Sequence, residues 1–155
     1  MCRPNPEYVK RLATIINTSP YFRLLSMRLQ QIGIGYSLFE IDLGQKHLQP
    51  FSVVHGGVFS SLIDAAASWA TFYGIEDEDA GITSVDLKVN YLAPAVSGKL
   101  LARGRQIKLG KTLSYGVAEV TDERGKIMAY GTSTVIILPG KAPTSDPPLP
   151  AKFLS

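Results

Sequence analysis

Asp64 is the only formally charged side chain between Lys46 and Glu76. It lies within VVHGGVFSSLIDAAASWATFY, residues 53–73, an apolar and small-residue stretch of helical length with no Pro and no Gly beyond Gly57. Burying an ionised carboxylate is costly, so such a residue is either satisfied by hydrogen bonds or kept for its chemistry. His55-Gly56-Gly57 stands where the chain would turn into this helix. A Gly-Gly entry lets backbone N–H groups approach a ligand, and a helix N-terminus adds the positive end of a dipole. A carboxylate two turns along the helix and an anion-friendly amide at its mouth fit acyl-transfer or hydrolytic chemistry. A plainer reading stands beside this one. Ser60, Ser61 and Ser68, at i−4, i−3 and i+4, could simply satisfy the Asp64 carboxylate. His55 reads as a capping residue rather than a base, and Trp69 and Phe72 read as core.

Other chemistries find less support. Ser60 and Ser61 do not form a Gly-x-Ser-x-Gly elbow, and no such pattern occurs elsewhere. With two histidines and the single Cys2 there is no metal constellation, so no metal site is expected. Gly104 to Thr112, GRQIKLGKT, looks like a phosphate loop with one residue too many between its glycines, and no helix follows it. It reads as a hairpin tip.

The elements that must position Asp64 follow from periodicity. Residues 5–17 form an amphipathic helix opened by Asn5-Pro6 and ended by Ser19-Pro20. Residues 21–25 are ambiguous and read as a turn packing aromatic side chains. Strands are expected at 27–32 and 36–43, then a loop at 44–52 and the helix at 58–73, with Gly74 as its C-cap. The acidic run 76–79 reads as a solvated turn. Four strands follow at 83–92, 99–108, 112–121 and 126–138. In the first of these, Val85, Leu87, Val89 and Tyr91 fall on one face and Ser84, Asp86, Lys88 and Asn90 on the other. Residues 143–150 are too rich in proline to join a sheet and read as a disordered or loosely draped arm. An amphipathic sheet buries its apolar face only against something, and the long uncharged helix is the obvious filling. The expectation is an α+β fold, an antiparallel sheet wrapped around a long central helix, with an N-terminal helix at 1–20, the body at 21–139 and a Pro-rich tail at 140–155.

Composition sets further bounds. A chain of 155 residues is one domain by its size, with 45% hydrophobic and only 19% charged residues. That shortage of charge fits an oligomer, in which part of the surface is interface. A net charge of +3 without a clustered basic stripe fits a small acidic ligand and argues against nucleic acid. Cys2 can make no internal disulfide and falls in an expected frayed terminus. The N-terminus lacks the apolar stretch of a signal peptide, and no segment is apolar enough to span a bilayer, so a cytoplasmic protein is expected.

Three stretches together resemble the hotdog-fold thioesterases, specifically the phenylacetate-degradation (PaaI-like) acyl-CoA type. They are His47-Leu48-Gln49-Pro50-Phe51-Ser52-Val53-Val54-His55-Gly56-Gly57, then Leu62-Ile63-Asp64, then Ser84-Val85-Asp86 with Tyr91-Leu92-Ala93-Pro94. The resemblance covers residues 21–138. It implies hydrolysis of an acyl-CoA with no metal or redox cofactor, coenzyme A entering only as part of the substrate. Asp64 would be nucleophile or general base, the Gly56 N–H the oxyanion donor, Gln49 the amide that positions thioester or water, and Ser68 a hydroxyl orienting that water. His55, Gly57, Ser84, Tyr91 and Pro94 would line the substrate channel. Lys108, Gly110, Lys111 and Thr112, with Arg103 or Arg105, would lie near the coenzyme A phosphates. The resemblance also implies a homodimer or homotetramer with sites at subunit interfaces. Gln49 stands where Asn is more usual, and Ser52 where Gly is common. Two rivals share the scaffold: an enoyl-thioester hydratase or dehydratase, which would need an Asp–His pair, and a non-catalytic acyl-CoA sensor.

Overall fold

The computed structural model describes residues 3–155; the expectation about Cys2 lies outside them. The chain runs β1 (Arg3–Pro4), α1 (Pro6–Thr18), α2 (Pro20–Leu25), β2 (Met27–Gly33), β3 (Tyr36–Asp42), α3 (Gly56–Phe72), β4 (Gly81–Tyr91), β5 (Lys99–Leu109), β6 (Leu113–Thr121), β7 (Ile127–Leu138) and β8 (Phe153–Leu154). Strands β2 to β7 form one antiparallel sheet in the order β2-β3-β5-β6-β7-β4, which leaves β2 and β4 as its edges. The sheet curls around α3, the hotdog arrangement that the sequence resembled. Residues 21–25, read as a turn, instead form α2. Pro20 at its first position pre-sets the helical φ, and Ser26 ends it at φ 53°.

The helix can lie so close to the sheet because both surfaces are stripped of side chains at the contact. Ala65, Ala66 and Ala67 give α3 a run of three small side chains, and all three are buried. Opposite them stand Gly104 and Gly116, where an added Cβ would lie 1.9 Å from the Ala66 carbonyl oxygen and 2.4 Å from that of Ala67. Ser37 of β3 donates to the same Ala66 oxygen at 2.6 Å. The obstacle is helix backbone, which cannot swing aside, so Gly104→Ala must push α3 off the sheet. It should cost about 3 kcal/mol or more, read as a lowered denaturation midpoint at an unchanged slope.

Strand β4 departs from its expected alternation. Ser84 pairs with Val135, but Asp86 pairs with Thr134 and Leu87 with Ser133, so Val85 is an extra residue in a β-bulge. The bulge resets the period-two pattern. Ser84 therefore shares the helix-facing side with Leu87, Val89 and Tyr91, not the outer side with Asp86, Lys88 and Asn90. Val85 itself is exposed.

The C-terminal segment is not a loose arm. Arg11 donates to the carbonyl oxygens of Pro147 and Pro148, and β8 pairs with β1 through Arg3↔Leu154 and Pro4↔Phe153. Between them Lys152 is 1% exposed. Its ammonium donates to the carbonyls of Phe72 and Ile75 at 2.8 and 2.7 Å and sits 4.2 Å from the centre of the Phe72 ring. A cation thus closes the C-terminus of α3, where the dipole favours positive charge. Gly74, expected as the C-cap, is not; Tyr73 caps the helix, and Gly74 does not take a positive φ.

Burial depresses the Lys152 ammonium from 10.5 to about 8, against the opposing pull of Glu78 and Asp77. At Lys152 the folded state then holds fewer protons than the unfolded chain between those two values, so this lysine contributes a rise in stability as pH goes from about 8 to 10.5, opposed from about pH 10 upward by the phenols of Tyr8 and Tyr73, which burial pushes above their ordinary value. The full rise is about 3 kcal/mol. Urea unfolding at pH 7.5, 8.5 and 9.5, below the range in which the tyrosines titrate, checks it, and Lys152→Met should abolish the rise.

Candidate functional site

Asp64 occupies the middle of α3, half-buried, and its partner comes from β4 rather than from the helix. The Ser84 hydroxyl donates to Asp64 Oδ1 at 2.6 Å. Ser68 Oγ lies 3.2 Å from Ser84 Oγ, and Ser133 Oγ of β7 lies 3.4 Å from Ser68. Because Ser84 spends its proton on the carboxylate, its oxygen accepts from Ser68, which in turn accepts from Ser133. Three hydroxyls thus point their protons toward one acid. The other helix serines are engaged elsewhere, Ser60 with the Tyr91 hydroxyl at 2.7 Å and Ser61 with the Gly57 carbonyl at 2.8 Å. The expectation that Ser60 and Ser61 satisfy Asp64 is therefore not met. Among the described residues Asp64 Oδ2 has no hydrogen bond, and the ion pairs are confined to Arg28, Lys99, Glu40 and Asp42.

Asp64 opens into a cavity of about 380 Å³. Its apolar walls include Tyr21 and Phe22 of α2, Trp69 of α3, and Ile82 and Leu87 of β4. Trp69, read as core in preference to acyl-pocket lining, both packs edge-on against the buried Phe72 and faces this cavity.

A second cluster forms at the N-terminus of α3. His55 is the N-cap, and its Nδ1 accepts from the Gly57 N–H at 2.8 Å. That bond satisfies Gly57 and leaves the Gly56 N–H without a hydrogen bond among the described residues. Gly56 lines a second cavity of about 330 Å³ together with Tyr91 and Pro94. The loop before it is tightly folded. Gln49 Oε1 accepts from the Phe51 N–H at 2.6 Å, and the Gln49 N–H donates to Val53 O at 2.8 Å. Ser52 takes φ 61°, a left-handed conformation that explains why glycine suits this position. Phe51 stands 87% exposed beside it.

The two clusters do not meet within one chain. Eight residues separate Gly56 from Asp64, about 12 Å along a helix axis. One carbonyl group cannot touch both. Lys108, Gly110, Lys111 and Thr112 form a third group at the tip of the β5–β6 hairpin, with both lysines exposed. Arg103, held to Thr121 Oγ1 at 3.1 Å, and Arg105 alternate with the inward Gly104, so they lie on the outer face of the sheet, which separates them from the Asp64 cavity.

Sequence reasoning missed Tyr21, Phe22 and Ser133. Pro20 followed by two aromatic residues was the available sign of a short docked helix. The alternation of β7 would have turned Ser133 inward beside Val135.

The sequence pattern of the thioesterase superfamily matches residues 51–129, about half of the chain. A 1,4-dihydroxy-2-naphthoyl-CoA hydrolase of Listeria monocytogenes is 25% identical over 113 residues, covering 73% of this chain and 91% of that protein. A thioesterase of Haemophilus influenzae superposes with a TM-score of 0.80 at 23% identity, covering 90% of this chain and 96% of the other. A thioesterase family protein of Silicibacter pomeroyi gives a TM-score of 0.77 at 25% identity, over 86% of this chain and 99% of the other.

Proposed function

This chain belongs to the thioesterase superfamily and is a thioester hydrolase, and from that premise we propose that it cleaves an acyl-CoA to a carboxylic acid and coenzyme A in a site shared by two copies of the chain. The observation that carries the reading is the separation of the free Gly56 N–H from the Asp64 carboxylate within one chain. Strand β4 offers the means of joining them. It is an 11-residue edge strand whose Val85, Leu87, Tyr91 and the following Leu92 are exposed. An unpaired apolar edge invites pairing with another strand. Two-fold antiparallel pairing of β4 with its copy sets the Ser84 end of one chain beside the Tyr91 end of the other. Asp64 of one copy then faces Gly56, Tyr91 and Pro94 of the next.

The chemistry follows from those groups. Negative charge develops on the thioester oxygen as its carbon is attacked, and the Gly56 N–H stabilises that oxyanion, a contribution of about 2.7–4 kcal/mol. The free Oδ2 of Asp64 either takes a proton from an attacking water or attacks the carbon itself, forming an anhydride that water then opens. On either route the C–S bond breaks and the thiolate leaves to pick up a proton. Ser84 and Ser68 hold the carboxylate in place, and Gln49 and His55 border the entering thioester. Lys108 and Lys111 at the hairpin tip would meet the coenzyme A phosphates. Base, oxyanion donor and water suffice, so the reaction needs no cofactor. The known CoA substrate of the Listeria relative supports coenzyme A as the thiol carrier, and the sequence motifs support the PaaI-like branch. No helix among the described residues is long and apolar enough to cross a membrane, which accords with action in the cytoplasm.

Mixing tests the shared site. Asp64→Asn and Gly56→Pro each disable a different half, so neither should hydrolyse alone. After dissociation and reassociation of an equal mixture, half of the pairs are mixed and each holds one intact site, restoring about a quarter of the full rate of thiol release. No recovery above the sum of the two variants would overturn the two-copy arrangement.

A further inference from the structure

The cavity at Asp64 is bounded on one side by α2, an element that no step of the reaction uses. From its position we infer that Tyr21 is a specificity-determining residue, a fixed wall that limits the enzyme to compact acyl groups and excludes long straight chains. The inference rests on the reading that Asp64 acts on the thioester.

Three observations carry it. The Tyr21 hydroxyl lies 2.6 Å from Ser61 Oγ, one turn before Asp64 on α3. Ser61 already donates its proton to the Gly57 carbonyl, so Tyr21 is the donor, and the two side chains form a bar between α2 and α3 at the edge of the cavity. The bar is anchored rather than mobile. Phe22 packs against the fully buried Phe39 with ring centres 5.9 Å apart. The buried His47 accepts from the Gly44 N–H at Nδ1, so its proton is on Nε2, which donates to Leu25 O at 2.7 Å and pins the end of α2. Finally, the walls beyond Asp64 are apolar: Phe22, Met27, Trp69, Ile82 and Leu87. They suit an acyl group and not the polar pantetheine, which would come from the side where the second copy brings its Gly56.

The volume sets the limit. About 380 Å³ holds roughly a dozen water-sized groups at about 30 Å³ each. A four- to eight-carbon or single-ring acyl group fits with its thioester, whereas a sixteen-carbon chain running from Asp64 along α3 toward Ser61 meets the Tyr21–Ser61 bar.

The test is kcat/KM for thiol release from butyryl-, octanoyl-, benzoyl- and palmitoyl-CoA by the unmodified protein, Tyr21→Ala and Tyr21→Trp. Tyr21 is 54% exposed on a short helix, so both variants should keep the fold, checked by circular dichroism. Opening the wall with Tyr21→Ala should raise the palmitoyl-to-butyryl ratio by about tenfold or more, and the larger ring of Tyr21→Trp should lower the octanoyl-to-butyryl ratio. Ratios unchanged in both variants, or equal losses on every substrate, overturn the inference while leaving hydrolysis by Asp64 standing. Absence of thiol release from any acyl-CoA by the unmodified protein would instead overturn the proposed reaction itself.

Discussion

Asp64→Asn should lower the rate of thiol release by about 10²–10⁴ and leave thermal unfolding nearly unchanged. The two halves of that expectation have separate causes. Asn keeps the shape of the side chain and an amide oxygen that still accepts from Ser84, so the hydroxyl chain from Ser133 through Ser68 survives. It supplies neither a base nor a nucleophile at the second position, the one without a hydrogen bond in the cavity. Asp64→Ala also removes the acceptor that holds the Ser84 hydroxyl, so the comparison separates positioning from chemistry. Near-normal hydrolysis by Asp64→Asn would show that another group attacks the thioester.

Gly56→Pro is the second large expectation, and the local backbone makes it a clean deletion. Gly56 is the first residue of α3, the one helical position that proline favours, and His55 before it is already extended at φ −62° and ψ 138°, as a residue preceding proline requires. The substitution removes the N–H that carries no other hydrogen bond. A Cβ at this position meets the Tyr91 ring at 3.1 Å, a side chain that needs to give by only a few tenths of an ångström. If that N–H holds the oxyanion, kcat should fall by about 10²–10³, with KM and the denaturation midpoint little changed. Gly56→Ala, which keeps the N–H and adds the same Cβ, is the matched control. Equal rates for the two variants would dismiss the oxyanion role.

The sequence carried the long helix and the strands of the sheet because each shows a clear period: an uncharged run of helical length around Asp64, and alternation in β3 and β7. It failed where a local irregularity or a distant partner decides the outcome. The extra residue at Val85 reverses the alternation of β4, and nothing in SVDLKVNY announces it. Lys152 lies in a proline-rich setting that reads as coil, yet proline carbonyls still accept hydrogen bonds, as Arg11 shows. A lone lysine reads as solvated unless the helix end it closes is known. The residues around His55-Gly56-Gly57 and Asp64 are legible as chemistry, and their separation by two helical turns follows from eight residues of helical rise. The motif reads as one site in the sequence because its two halves are neighbours along the chain. In space they point to different cavities.

The ribbon made by β1 and β8 holds Arg3 opposite Leu154. A few residues of glycine and serine would join these ends without disturbing the sheet, and a new start could be cut in the exposed turn at 123–125, which lines neither cavity. Such a circularly permuted chain should fold to the same structure. It would keep Lys152 over the end of α3 while moving that clasp to the middle of the permuted sequence.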